Sequence, residues 1–296
     1  MEHLNSLAVF VRAAEARSFV GAAQAVGLSA SAVGKAIARL ENRLGTRLFH
    51  RSTRSITLTA EGVRFLQRCK HILAEIEDAE AELQQSSTHP QGRLRISLPA
   101  VGTLFAPVFS DFMKRYPDIE LDIDFTDRLV DVIDEGFDAV IRTGKPSDSR
   151  LTFRNLGSFK VVLVASPRYL EDLGTPRIAS DLRKHKCIHY RFPNSGKLQE
   201  WPLKSKSGAM EVDLPTTMIS NNTETRVFFA TQGHGLAYLP DFLVRDSIKS
   251  GNLVRVLEKQ VDIREAFYLL WPASKFPSPK MRALVDYLSD NFLKRS

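Results

Sequence analysis

Apolar positions in the first quarter of the chain recur with helical spacing. Leu4, Leu7, Val11 and Ala14 step by three and four residues and predict one apolar face on a first helix. Ser18 is placed to cap a short second helix carrying Phe19, Ala22, Ala23 and Val26, and Gly27 suits a left-handed end. Ser29 then opens a third helix with an inward face of Val33, Ile37, Leu40 and Leu44, closed by Gly45. Two short helices joined by "VGLS", with many alanines to permit close approach, read as a helix-turn-helix. The alternating segments "RLFHR" and "SITLT" on either side of "STR" predict a hairpin, a wing beside the third helix.

Thr59 is placed to cap a long helix from Ala60 to about Gln85. On it Leu66, Cys69, Leu73, Ile76, Glu80 and Leu83 alternate steps of three and four, a heptad seam with one polar interruption. A lone helix would leave that seam in water, so the pattern predicts pairing with a second copy, and Cys69 reads as a small buried apolar residue. "SSTHPQG" (86–92) breaks the helix and marks a boundary.

Beyond it the period changes. "LRISL", "ELDIDF", "DAVIRT", "VVLVAS", "TMIS" and "GLAYLP" predict strands; "LFAPVFSDFMKRYP", "LVDVIDEG", "TETRVFFATQG" and "PSPKMRALVDYLSDNFL" predict helices. This alternation implies an α/β arrangement with mostly parallel sheets, long enough for two subdomains. Three polar helix starts, at Gly102 and Thr103, at Thr126, and at Asn221, Asn222 and Thr223, follow strand ends, where open α/β sheets form their clefts. Their free N–H groups favour an anionic ligand, and Arg142 adds a group able to hold a carboxylate in a bidentate pair or to neutralise Asp138 or Asp127. Tyr190, Arg191 and Phe192 lie on a segment suited to line the same cleft.

Charge sharpens the reading of the amino-terminal quarter. The chain carries a net +7, and residues 1–70 alone hold eleven Lys/Arg against four Asp/Glu, so the whole surplus sits there. That asymmetry points to a polyanion. Lys35, Arg39 and Arg43 share one flank of the third helix, behind a first turn of small residues, Ser29, Ala30 and Ser31. Small side chains admit a helix end to a major groove, and the cations meet phosphates. Arg51 and Arg54 at the hairpin tip suit a backbone or minor-groove contact.

Other classes find little support. Two distant cysteines, Cys69 and Cys187, suggest no disulfide framework and a reducing cytoplasm. There is no apolar run of membrane-spanning length, and the first residues do not read as a signal peptide. "HKCIH" spaces His185, Cys187 and His189 compatibly with metal ligation, but no fourth ligand cluster accompanies it, and no nucleophile elbow or Walker sequence is present. No enzyme, metal or cofactor is expected. The other reading carried forward is a solute-binding or ligand-sensing α/β protein whose basic N-terminal part binds nucleic acid non-specifically.

The run "SFVGAAQAVGLSASAVGKAIARLENRLGTRLFHRSTRSITLTAEG" resembles the N-terminal region of LysR-type transcriptional regulators, and the likeness covers residues 1–85. It implies a winged helix-turn-helix (1–58), a dimerising linker helix and hinge (59–89), and an effector-binding domain with a two-subdomain periplasmic-binding-protein-like α/β fold (90–296). Subdomain I would take about 92–163 and 267–296, subdomain II about 164–266, with crossing strands near "VVLVAS" and "AFYLLW". The implied partners are double-stranded DNA, a small effector, further copies in a homodimer or homotetramer, and RNA polymerase. The DNA-contact residues that this resemblance and the charge pattern select are Ser18, Ser29, Ala30, Ser31, Lys35, Arg39, Arg51 and Arg54. Many members carry Gln-Pro where Ala30-Ser31 stands and Ser where Gly34 stands. Readout here is therefore expected to lean on Ser29, Ser31 and Lys35 and on DNA shape.

Overall fold

The structure is a computed structural model. It describes residues 2–51, 56–84, 89–144, 148–205, 208–210, 214–261, 263–273 and 277–293. The chain divides into two compact units, Met1–His89 with Asp131–Phe137, and Pro90–Val130 with Asp138–Ser296.

The first unit opens with three helices, α1 (Glu2–Ala16), α2 (Phe19–Val26) and α3 (Ala30–Leu44). Their ends are set by local chemistry. The Ser18 hydroxyl accepts from Gly21 N–H and the Ser29 hydroxyl from Ala32 N–H, while Gly27 and Gly45 take left-handed φ of 69° and 65°. Strands β1 (Phe49–Arg51) and β2 (Ile56–Leu58) pair antiparallel as the wing. Thr59 then caps α4 (Ala60–Gln84), its Oγ1 accepting from Gly62 N–H at 2.9 Å. Arg54 and Gln85 lie outside the described residues.

The core of this unit gathers Phe10, Ala13, Ala22, Val33, Ile37, Leu40, Leu48 and Phe49. Two sequence expectations are corrected here. Leu4 and Leu44 lie at helix ends and stay 39% and 41% exposed, so the inward face of α1 is centred on Phe10 and that of α3 stops at Leu40. The heptad reading of α4 also changes. Leu66, Cys69 and Leu73 pack on the unit's own core, Phe65 meets Phe10 at 5.3 Å, and Lys70 pairs with Glu15 at 2.8 Å. That hydrogen bond with Lys70 holds the Glu15 carboxyl below its ordinary value, the pull winning over burial. The front of the seam is thus covered within the chain, and the side chains of Glu80 and Leu83 are outside the described residues.

The second unit runs β3 (Gly92–Leu98), α5 (Gly102–Arg115), β4 (Ile119–Phe125), β5 (Ala139–Thr143), β6 (Leu151–Ala165), α6 (Pro167–Leu173), β7 (Cys187–Tyr190), β8 (Leu203–Ser205), β9 (Gly208–Met210), β10 (Thr216–Ser220), α7 (Thr223–Thr231), β11 (Leu236–Pro240), α8 (Asp241–Lys249), β12 (Val254–Val256), β13 (Ile263–Pro272) and α9 (Pro279–Asn291). One sheet has the order β10-β7-β11-β6-β13-β5-β3-β4, with β12 also on β6. Two parallel triplets, β4-β3-β5 and β10-β7-β11, form two lobes. They are joined by β6 and β13, which pair antiparallel along ten residues. The sheet is therefore parallel within each lobe and antiparallel at the join. Helices α5 and α9 cover the first lobe through Phe105, Phe112, Leu284 and Leu288, and α7 and α8 cover the second through Ala230 and Val244.

The helix expected over "LVDVIDEG" is instead a turn at residues 132–136. The Asp131 carboxylate accepts from Ile133 and Asp134 N–H, and Gly136 takes φ 67°, so the segment closes on itself before a second turn can form.

Candidate functional site

In the first unit the capped α3 presents Ser31, Lys35, Arg39 and Arg43 to solvent, opposite the buried stripe of Val33, Ile37 and Leu40. Lys35 and Arg39 have no ion-pair or hydrogen-bond partner among the described residues, so their charge is available to an outside anion. Ala30 is half-buried in the first turn. The Ser29 and Ser18 hydroxyls each accept a capping bond and keep their own proton to donate. Arg51 ends β1 at the hairpin tip, and Arg54 falls outside the described residues.

One residue the sequence reading passed over fixes this surface. Glu41 is 6% exposed, and its Oε1 accepts from Leu48 and Phe49 N–H at 2.9 and 3.1 Å. It ties the wing to α3. A buried carboxylate at the back of a basic helix gives no periodic signal.

The second unit holds a cavity of about 690 Å³ between its lobes. Of the residues proposed from sequence, Arg142, Thr223, Tyr190 and Phe192 line it, while Gly102, Thr103, Thr126, Asn221, Asn222 and Arg191 do not. Arg142 sends its guanidinium to Ser97 Oγ and Ile141 O, both at 2.7 Å. Asn222 caps α7, accepting from Thr225 N–H at 2.7 Å, and Thr126 Oγ1 accepts from Arg128 N–H. Thr103 gives its N–H and hydroxyl to Glu224 Oε1 at 3.3 and 2.9 Å, so an internal carboxylate already sits at the start of α5.

The polar centre of the cleft comes from residues far apart in sequence. Tyr190 donates its hydroxyl to Asp127 Oδ2 at 2.9 Å, and Asp127 Oδ1 accepts from Ala100 N–H. The Arg226 guanidinium lies 4.8 Å from the Tyr190 ring centre and bonds Tyr238 O and Thr223 Oγ1. Arg226 is 2% exposed, and burial lowers it to about 10, against the pull of Tyr190 and Asp127. It still carries its proton at neutral pH. Leu129 N–H to Asn194 Oδ1 adds a further bond across the lobes.

Cys69 and Cys187 are both buried free thiols, pushed up to about 12 by burial alone. Iodoacetamide at neutral pH is expected to leave both unmodified in the folded protein and to alkylate both in guanidinium, as read by intact mass. Alkylation of either thiol under native conditions would contradict its burial.

Residues 87–293 match the family profile described as the LysR substrate binding domain, and residues 4–63 that of the bacterial regulatory helix-turn-helix protein, lysR family. The HTH-type transcriptional regulator CrgA of Neisseria meningitidis is 34% identical over 285 residues, covering 95% of this chain and 94% of that protein. PgrR of Escherichia coli is 31% identical over 290 residues, covering 97% of each. The solved CrgA structure, described as a LysR-type transcriptional regulator, superposes with a TM-score of 0.63 at 30% identity over 98% of this chain and 99% of that one. The structure of ArgP from Mycobacterium tuberculosis has the same fold, with a TM-score of 0.69 at 22% identity over 98% and 97%. The winged helix-turn-helix, the two-lobed domain and these matches over nearly the whole chain agree: the protein belongs to the LysR family of transcriptional regulators.

Proposed function

We propose that this LysR-type regulator reads its operator through Ser18, Ser29, Ala30, Ser31, Lys35, Arg39, Arg51 and Arg54. Residues 1–58 serve as DNA-binding domain, 59–89 as linker, and 90–296 as effector domain, with subdomain I at about 92–163 and 267–296 and subdomain II at about 164–266. It acts in the cytoplasm as a homodimer or homotetramer built on α4, without catalysis of its own, and RNA polymerase is its partner at the promoter. A small organic anion in the cleft sets its activity, drawn by Arg142, Arg226 and Thr223, with Gly102, Thr103, Asn221 and Asn222 at the neighbouring helix starts and Thr126 in the turn after β4. That ligand shifts the regulator only by its differential affinity for two arrangements of the lobes.

The observation that carries the DNA reading is the flank of α3, where Lys35 and Arg39 stand exposed and without a partner behind a capped first turn. Lys35→Ala is expected to weaken binding to the operator and to unrelated duplex DNA by a similar factor. The slope of log affinity against log salt should fall by about one. Fluorescence anisotropy over a salt series reads both. A loss confined to the operator would make Lys35 a base reader, and no loss on either DNA would remove it from the interface.

A further inference from the structure

Glu265 lies on β13 where the two lobes join, and it lines the cleft. It is half-buried, and among the described residues its carboxylate has neither a hydrogen-bond nor an ion-pair partner. Its chain neighbour Arg264 is exposed and also borders the cleft, but among the described residues it makes no ion pair with Glu265. Opposite Glu265 in the antiparallel register stands Phe159. The Phe159, Phe242 and Phe267 rings cluster at centroid separations of 4.8–5.9 Å, and all three line the cavity.

The Tyr238 hydroxyl, which does not line the cleft, is buried and has no hydrogen-bond partner among the described residues. Burial raises the Glu265 carboxyl above its ordinary value; burial first, then the Glu265 charge, raises the Tyr238 hydroxyl. A half-buried carboxylate without a protein partner beside aromatic faces is a costly arrangement in a free protein. A protonated amine answers every part of it. Its N–H groups pair with the carboxylate, and its charge is drawn to the ring faces.

Besides Arg264, the cleft's cations stand on other elements, Arg142 on β5 and Arg226 on α7. We propose that Glu265, with the Phe159–Phe242–Phe267 cluster, is a receptor for a protonated amine, so that the effector is an amino-acid-like zwitterion rather than a plain anion. This rests on the cleft being the effector site. The carboxylate of such a ligand faces the arginines and its ammonium faces Glu265.

The test compares L-amino acids with the 2-hydroxy acids of the same side chains, by thermal shift and calorimetry on the full chain. At least one amino acid should raise the melting temperature, and its hydroxy acid should bind about tenfold more weakly, the usual loss when a charged hydrogen bond is replaced. Glu265→Gln should weaken the amino acid by a similar factor and leave the hydroxy acid unchanged. Equal binding of the matched pair overturns the proposal, as does an unchanged amino-acid affinity in Glu265→Gln, or no amino acid binding at all. The matched pair on the unaltered protein decides the question even where the variant folds poorly. Ser158→Trp, which fills the cavity, separates the two readings. Hydroxy-acid binding that this variant abolishes keeps the cleft and removes only the amine receptor, whereas binding that survives it removes the cleft.

Discussion

Gly62→Ala is expected to destabilise the DNA-binding unit and to lower operator affinity, although alanine is the better helix former. Gly62 is the third residue of α4 and is buried. A Cβ built there would stand 2.1 Å from the Leu48 carbonyl oxygen, 3.0 Å from its carbon and 3.1 Å from Leu58 Cδ2. Helix propensity favours alanine by about 1 kcal/mol. Against it stands a clash with backbone, which has no rotamer into which to retreat. The Leu48 carbonyl also accepts from Thr59 N–H at 3.0 Å, the bond that seats the start of α4. Moving the carbonyl sacrifices that bond. Overpacking of this kind costs about 3 kcal/mol, so the net loss is about 2 kcal/mol. Urea denaturation of the unit and anisotropy with operator DNA measure it. A Gly62→Ala protein as stable as the parent would show that the wing can slide off α4 at little cost.

The amino-terminal unit was legible because its signals are local. Ser18, Gly27, Ser29, Gly45 and Thr59 each make, within four residues of themselves, the capping bond or left-handed turn their type suggests. Periodicity is weaker evidence at helix ends. Leu4 and Leu44 keep the right spacing, but the neighbouring helices do not reach them. The heptad on α4 shows a different limit. Spacing records that Leu66, Cys69 and Leu73 are covered, not what covers them, and Phe10 with its neighbours does so from the same chain. Strand β6 was read only from Val161 onward, because its first half, "LTFRNLGSFK", joins the lobes and alternates poorly. The centre of the cleft was the least legible. Asp127 reads only as a candidate partner of Arg142; Arg226 and Glu265 carry no local signal, and only the fold brings the three to one cavity.

Glu41→Ala is expected to produce the other large effect, and the contrast with Glu41→Gln assigns its cause. Oε1 of Glu41 is the acceptor for two consecutive backbone N–H groups, those of Leu48 and Phe49, at the start of the wing. Phe49 is 2% exposed and meets Phe10 and Phe19 at 5.4 and 5.9 Å, so these bonds aim a core side chain at α1 and α2 together. Alanine leaves two buried donors without an acceptor. Each costs about 1–3 kcal/mol, which places the total near 3 kcal/mol, a large share of the stability of so small a unit. Glutamine keeps the length and an acceptor oxygen but loses the charge, so its expected cost is about 1 kcal/mol. Operator binding should follow the same order, because the strand that carries Arg51 leads directly from Phe49. Urea titrations and anisotropy on the two variants decide it. Equal losses for Ala and Gln would make the buried charge the decisive feature. A mild Gln and a severe Ala would show that α3 holds the wing by supplying one well-placed acceptor to two donors.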